Sequence, residues 1–341
     1  MSGVPSFTRI DYQIRSNKNI ERKLVFDALS SVRAVINFTN HKYIGFGSMW
    51  FSDFRLAHKM LALDQMISIE YSNSPRAEFN MPFCNIEVKD GDCLLVLKAF
   101  PSEDWKSPFV AWFDFDGNLN DNVVEILDLF LEKSAPDSVL LITINACILN
   151  YQNGRKNVVD SINDTSVGTV GQFLGMNNID QRFKPTQIGA GKYKDISRED
   201  FPEFLADALL SRIEHQIVSI GRESGENPIQ FIPAFNLCHK DGVEMVTVGG
   251  IIASKDNMAG WTSGLRDHLP IEPEKKKPIF QRLDLIPMTL KEKMELNACL
   301  PNPEEEFLKQ AKKRGLELDD ENMKKYRLYY RHFSIFVESQ V

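Results

Sequence analysis

The sequence predicts an α/β fold in which a parallel sheet is closed by an antiparallel hairpin and followed by a small C-terminal helical module. Three observations carry that expectation. Short apolar runs alternate with helix-period segments between residues 41 and 144, the rhythm of βα units joined by right-handed crossovers. Several of those runs end in glycine or in an acid. Farther on, Lys240-Asp241-Gly242 separates two long apolar runs, and Asp-Gly in that position is a strong hairpin signal.

Taken in order, residues 12–34 read as an amphipathic helix with Ile20, Leu24, Val25, Ala28 and Leu29 on its apolar stripe. Tyr43 and Ile44 lead into Gly45-Phe46-Gly47-Ser48, where two glycines permit a sharp turn and a close backbone approach to a ligand. Ser52 and Asp53 stand where a helix cap is wanted, ahead of Phe54, Ala57 and Leu61 at helical spacing. Met66–Ile69 forms a second strand, ending in Glu70, and Ile86–Val88 a third, followed by the Asp90-Gly91-Asp92 turn. Phe109–Phe113 has the composition of a strand buried on both faces and runs into Asp114-Phe115-Asp116-Gly117-Asn118. Asn120 or Asp121 caps the next helix, and Ser138–Ile144 is the fifth strand. Residues 148–200 show no strong period and read as an insertion over the functional edge of the sheet. A helix returns over 201–220, then the hairpin, then helices segmented by prolines, the first capped by Thr289. The expected division is an N-terminal helical segment 1–40, a sheet domain 41–270 and a helical module 280–341.

At 341 residues, 43% hydrophobic and 26% charged, the chain can bury a large core. Its net charge of −7 argues against a wholly basic nucleic-acid binder and leaves room for a local basic groove. Five scattered cysteines without a CxxC pair, and six dispersed histidines, give no disulfide framework and no metal-ligand spacing. Neither a spanning apolar run nor an N-terminal signal region is present in the sequence, so a cytoplasmic protein without a membrane anchor is expected.

The chemistry concentrates at the strand ends. Gly45 and Gly47, Glu70, Asp92, and Asp114 with Asp116 follow four successive strands, and open parallel sheets bind ligands outside their carboxyl ends. An acid at the tip of the second strand can accept both hydroxyls of a ribose, which points to a nucleoside-containing cofactor. On these residues the chain resembles the Rossmann-like S-adenosylmethionine (SAM)-dependent methyltransferases over roughly residues 40–254. Arg22-Lys23, YIGFGSMWFSDF, MISIE, FNMPF and FDFDGNL are, more narrowly, similar to bacterial proteins labelled O-methyltransferases. The Asp-Phe-Asp-Gly run is also similar to tRNA guanine dimethyltransferases.

The resemblance implies SAM as cofactor, with Gly45, Phe46, Gly47 and Ser48 under its methionine part, Glu70 on the ribose and Asp92 at the adenine. Asp114 and Asp116 would flank the transferred methyl group, either of them as base or as orienting acceptor. Ser48 and Met49 replace the usual small residues, and no Asn-Pro-Pro-Tyr motif occurs, so the acceptor atom stays open. Arg15, Lys18, Arg22 and Lys23, with Lys324, Lys325, Arg327 and Arg331 at the other end, are candidate phosphate contacts for a nucleic-acid acceptor. A small-molecule or protein acceptor is the other reading. The rival from another class is a methyltransferase-like protein without turnover that senses a nucleotide or docks a partner. Trp50 and Trp112 are expected in the core, and Trp261 as a loop anchor.

Overall fold

The computed structural model describes residues 16–72, 74–176, 180–224, 227–266, 271–272 and 277–333. Helix α1 (Ser16–Ser31) precedes five βα-type units, whose apolar runs become β1 (Lys42–Gly45), β2 (Met66–Glu70), β3 (Ile86–Asp90), β4 (Phe109–Asp114) and β5 (Ser138–Asn145). These pair in parallel, β1 with β2 and β4, β2 with β3, and β4 with β5. Between them run α2 (Ser52–Leu61), α3 (Ser74–Phe79), α4 (Cys93–Lys98) and α5 (Asp121–Lys133). Asn120 caps α5 by accepting from the Val123 N–H at 3.0 Å.

The insertion holds β6 (Val158–Val159), α6 (Ser166–Leu174), β7 (Thr186–Gly189) and β8 (Lys192–Lys194), the strands forming a small separate sheet. Helix α7 (Phe201–Ser219) returns the chain to β9 (Ile229–Lys240) and β10 (Glu244–Ser254), the expected antiparallel hairpin, whose β10 lies against β5. Then come α8 (Met258–Arg266), the short pair β11 (Ile271–Glu272) and β12 (Lys277–Pro278), β13 (Gln281–Leu283), and helices α9 (Leu290–Asn297), α10 (Glu304–Lys313) and α11 (Asp320–Tyr329). The central sheet runs β13-β9-β10-β5-β4-β1-β2-β3.

The two-residue period of β4 divides the core. Ala111 and Phe113 pack with α4, α5, α6 and α7 on one face, whereas Val110 and Trp112 pack with α1, α2 and α8 on the other. Leu296, Cys299, Phe307, Ala311, Met323 and Tyr326 form a smaller core of their own among α9, α10 and α11. Thr289 and Glu292 close a reciprocal capping box at the start of α9, as the sequence indicates.

Four expectations change. Helix α2 has no side-chain cap hydrogen bond: Phe51 stands at its N-cap with φ +49°, and Asp53 turns inward. Helix α6 was hidden because Gly168 and Gly171 thin its apolar period; a side chain at 168 would lie 2.2 Å from the Ile162 carbonyl. Strand β13, with three residues, is too short to show alternation. Trp261 sits inside α8, fully buried, and its Nε1 donates to Asp137 Oδ1 at 3.0 Å, so it anchors a helix and not a loop. Among the described residues no helix is long and apolar enough to cross a membrane.

Candidate functional site

A cleft of about 310 Å³ opens at the carboxyl ends of β1, β2 and β4. Phe46, Gly47, Ser48, Glu70, Asp92, Asp114 and Asp116 all line it; Gly45, of the residues singled out in the sequence, does not. Trp50 also lines it and is only half-buried, so it belongs to the cleft wall and not to the core.

Glu70 organises the near side. Its Oε1 accepts the Ser48 N–H at 2.9 Å and the Ser68 hydroxyl at 2.7 Å, while the Gly47 N–H donates to Ser68 Oγ at 2.9 Å. The turn after β1 is thus tied to the tip of β2 through one carboxylate oxygen. Burial pushes the Glu70 carboxyl above its ordinary range, against the opposing pull of the Ser68 hydroxyl and of the nearby Ser48 and Gly47 amides. The other oxygen makes no hydrogen bond among the described residues and is available to a ligand. The glycines answer to protein packing. A side chain at Gly47 would lie 2.4 Å from the Phe51 ring, and one at Gly45 would lie 2.9 Å from the Trp112 carbonyl. Asp92 carries a structural duty too, capping α4 by accepting from the Leu94 and Leu95 amides at 2.9 and 3.3 Å.

The far side is a line of charges leading into the protein. Asp114 ends β4 with its side chain 24% exposed, and its Oδ2 lies 3.0 Å from Lys18 Nζ and 3.9 Å from Arg22 Nη2. Lys18 also meets Glu21 Oε2 at 2.9 Å, and Glu21 Oε1 is 3.2 Å from His239 Nδ1 on β9. Burial alone would raise the Glu21 carboxyl, but His239 and Lys18 outweigh it and hold the group far below its usual range. Beside them the Tyr43 hydroxyl donates to Asp53 Oδ2 at 2.6 Å, and burial, the largest influence, raises both groups.

This geometry corrects the expected phosphate contacts. Lys18 and Arg22 are 3% and 6% exposed and face Asp114 inside the protein. Lys23 is half-buried and donates to the Phe333 carbonyl at 3.4 Å, and Arg15 lies outside the described residues. At the other end Lys324 pairs with Glu304 and Lys325 with Asp284 and Glu321. Arg327 donates to the Asn302 carbonyl and Arg331 to the Tyr330 hydroxyl, while Tyr326 and Tyr329 pack inward.

The sequence did hold a signal for the inward charges. Lys18, Glu21, Arg22, Val25 and Leu29 follow helical spacing on one face, so the ions interrupt the buried stripe. What holds them there is Asp241 of the hairpin turn, which accepts from the Asn17 and Lys18 amides at 3.2 and 2.7 Å. The insertion reaches the same edge without lining the cleft: Tyr151 accepts from the Leu119 amide, and Asn150 donates to Asn118 Oδ1 at 3.0 Å.

No curated protein matches the sequence. Among solved structures, a Klebsiella pneumoniae protein described as a "putative O-methyltransferase" is similar at 11% identity and a TM-score of 0.32, over 72% of this chain and 94% of its own. The plantazolicin methyltransferase BpumL, solved with S-adenosylhomocysteine (SAH), gives 12% and 0.35, over 69% of this chain and 85% of its own. TomG from Streptomyces achromogenes, an O-methyltransferase of tomaymycin synthesis solved with SAM, gives 12% and 0.31, over 73% and 94%. The family described as "Putative O-methyltransferase" matches residues 10–341, nearly the whole length, and the chain belongs to that family of Rossmann-like methyltransferases.

Proposed function

We propose that this methyltransferase binds SAM in the cleft at the ends of β1, β2 and β4, and delivers the methyl group to an oxygen of a small molecule beside Asp114 and Asp116. The observation that carries the reading is Glu70. It ends β2 at the cleft, one oxygen bound to the turn after β1 and the other without a partner among the described residues, which fits a ribose diol. The fit extends to size, since about 310 Å³ is within the range of small-ligand sites. When bound, SAM supplies a sulfonium methyl open to in-line displacement.

The protein's own part is position and charge. The Gly47–Ser48 backbone is fixed by Ser68 and Glu70, so the floor of the cleft is set before a ligand arrives. Asp114 Oδ2 is engaged by Lys18, which suits an orienting acceptor for the incoming hydroxyl. Asp116, exposed at the mouth, is the carboxylate placed to take the proton that the hydroxyl gives up. Asp92 lines the cleft where the adenine would sit, with Oδ1 committed to the α4 amides. A nucleic-acid acceptor has lost its support, because the basic residues meant for phosphates are buried or paired among the described residues, Arg15 lying outside them. Calorimetry with SAH on the full chain tests the cofactor reading. Saturable binding that is weakened in Glu70→Gln is expected, and a folded chain that takes up no SAH overturns it.

A further inference from the structure

A second recess, of about 530 Å³, lies in the insertion, bounded by the start of the segment after β5, by β7 and β8, and by the turn into α7. Its chemistry differs from that of the cleft. Asp195, 7% exposed, forms the floor and is fully engaged: its oxygens accept from the Ser166 amide and hydroxyl, the Ile196 amide and Gln152 Nε2. Arg182 on the wall is neutralised by Asp180, Glu203 and Asp207 at 3.0–3.2 Å. Lys184, Lys194 and Arg198 are different. They are exposed, line the same recess, and make no ion pair or side-chain hydrogen bond among the described residues. Three cations around one concavity that form no ion pair among the described residues are unusual in a chain of net charge −7, where carboxylates outnumber bases.

A second observation points the same way. Gln152 lines the recess at 7% exposure, and its Nε2 donates to Asp195 and Asn157 at 3.1 and 3.3 Å, which fixes the amide's orientation. Its Oε1, buried, has no donor among the described residues. A buried acceptor left without a partner is expensive and calls for a hydroxyl or N–H.

We propose that this recess binds the phosphate group of a small hydroxyl-bearing molecule, with Lys184, Lys194 and Arg198 on the phosphate and Gln152 receiving a hydroxyl. A phosphate monoester carries close to two negative charges and three acceptor oxygens, which suits three cations lining one recess better than a single carboxylate does. The exposed Asp200 on the rim and the chain's net charge of −7 favour a compact anion and oppose an extended polyanion. The site stands on the carboxyl side of the sheet: Asn150, one turn from the recess wall, is bonded to Asn118 of the loop after β4. Its ligand would therefore occupy the edge at which open α/β sheets hold their substrates.

The test is calorimetric titration of the full-length chain with pyrophosphate, beside the Lys184→Gln/Lys194→Gln/Arg198→Gln variant. The three positions are exposed, so the variant is expected to keep the wild-type melting temperature. Submillimolar binding to wild type, weakened by at least about tenfold in the variant, is the expected result. Absent binding to wild type, or equal binding to both proteins, overturns the proposal. So does a single-stranded oligonucleotide that binds more tightly than pyrophosphate and depends on the same three residues, since the surface would then be a nucleic-acid track. SAH titrated into both proteins separates this result from the cofactor reading. SAH affinity should be the same in wild type and variant, and loss of SAH binding in both would strike at the cleft while leaving the pyrophosphate result standing.

Discussion

Replacing Glu70 by glutamine keeps the shape of the side chain and removes its charge, so it isolates what the carboxylate does. In the structure Oε1 already receives the Ser48 amide at 2.9 Å and the Ser68 hydroxyl at 2.7 Å, leaving Oε2 for a ribose. Hydrogen bonds to a charged acceptor contribute about 1.5–3 kcal/mol against about 0.5–1.5 for neutral ones, and a glutamine that keeps its oxygen on Ser48 and Ser68 turns an –NH2 donor toward the ribose, so at least roughly 1 kcal/mol per ribose bond is forfeited. Two such bonds make about 2 kcal/mol, or roughly a 30-fold rise in the SAH dissociation constant. Glu70→Ala should lose about 2–3 kcal/mol, because the ribose hydroxyls then meet no acceptor. A pH signature accompanies the charge. Burial, the first cause, raises the Glu70 carboxyl, so on acidification the ionised form that binds ribose is depleted in a pH window above that of an ordinary glutamate. Wild-type affinity should fall over that window, while Glu70→Gln should stay flat. Calorimetry at several pH values reads both effects. A folded Glu70→Gln protein that binds SAH within twofold of wild type refutes the assignment.

Three further outcomes follow from the same geometry. Asp114→Asn should leave SAH affinity within a few-fold of wild type and sharply lower methyl-transfer turnover; equal loss of both would make Asp114 a cofactor or folding residue. Glu21 sits far below its ordinary value of 4.5 in the folded chain, so its stabilisation is present above about pH 4.5 and is lost as pH falls toward the folded value. Denaturant titrations should show Glu21→Gln less stable at pH 7 by about 3–5 kcal/mol and without that share of the acid-side slope. Gly47→Ala would place a carbon 2.4 Å from the Phe51 ring and 2.7 Å from Ser68 Oγ, an overpacking of about 1–3 kcal/mol that a melting curve detects.

The parallel strands were legible because their apolar runs are short, dense and bounded by turn residues, as in Phe109–Phe113 between Pro108 and Asp114. The hairpin was legible from Asp241-Gly242, and the α9 start from Thr289 and Glu292, since each uses a local rule that leaves a mark in sequence. What sequence hid is nonlocal. Nothing near Asp53 announces that it bonds Tyr43 instead of capping its own helix; that follows from Tyr43 lying beneath it on β1. The basic residues of α1 look like a solvated face until β9 and β4 supply His239 and Asp114. The glycines at 45 and 47 suggest a ligand cradle, yet Trp112 and Phe51 occupy the space a side chain would need. Local chemistry shows in a sequence, whereas partners that only the fold brings together do not, whether 10 positions apart as Tyr43 and Asp53 are or 218 as Glu21 and His239 are.

The ion line from His239 to Asp114 makes α1 part of the site, and this can be tested without touching any of its charges. Buried ion pairs contribute little net stability compared with apolar packing, so the linked polar groups behind one cleft carboxylate fit a positioning role better than a structural one. Their register depends on Asp241, whose two oxygens receive the Asn17 and Lys18 amides at the first turn of α1. Asp241→Ala removes that cap and should reduce stability by about 1 kcal/mol, because Leu24, Val25, Phe26 and Leu29 keep the helix buried. If the cap only holds a helix, turnover should stay at the wild-type level in the folded variant. If it also sets Lys18 against Asp114, turnover should fall well beyond the stability loss while SAH affinity holds, since the cofactor side is fixed separately through Ser48, Ser68 and Glu70. Parallel measurement of melting temperature, SAH affinity and turnover decides between the two. Unchanged turnover would return α1 to the role of a packing element.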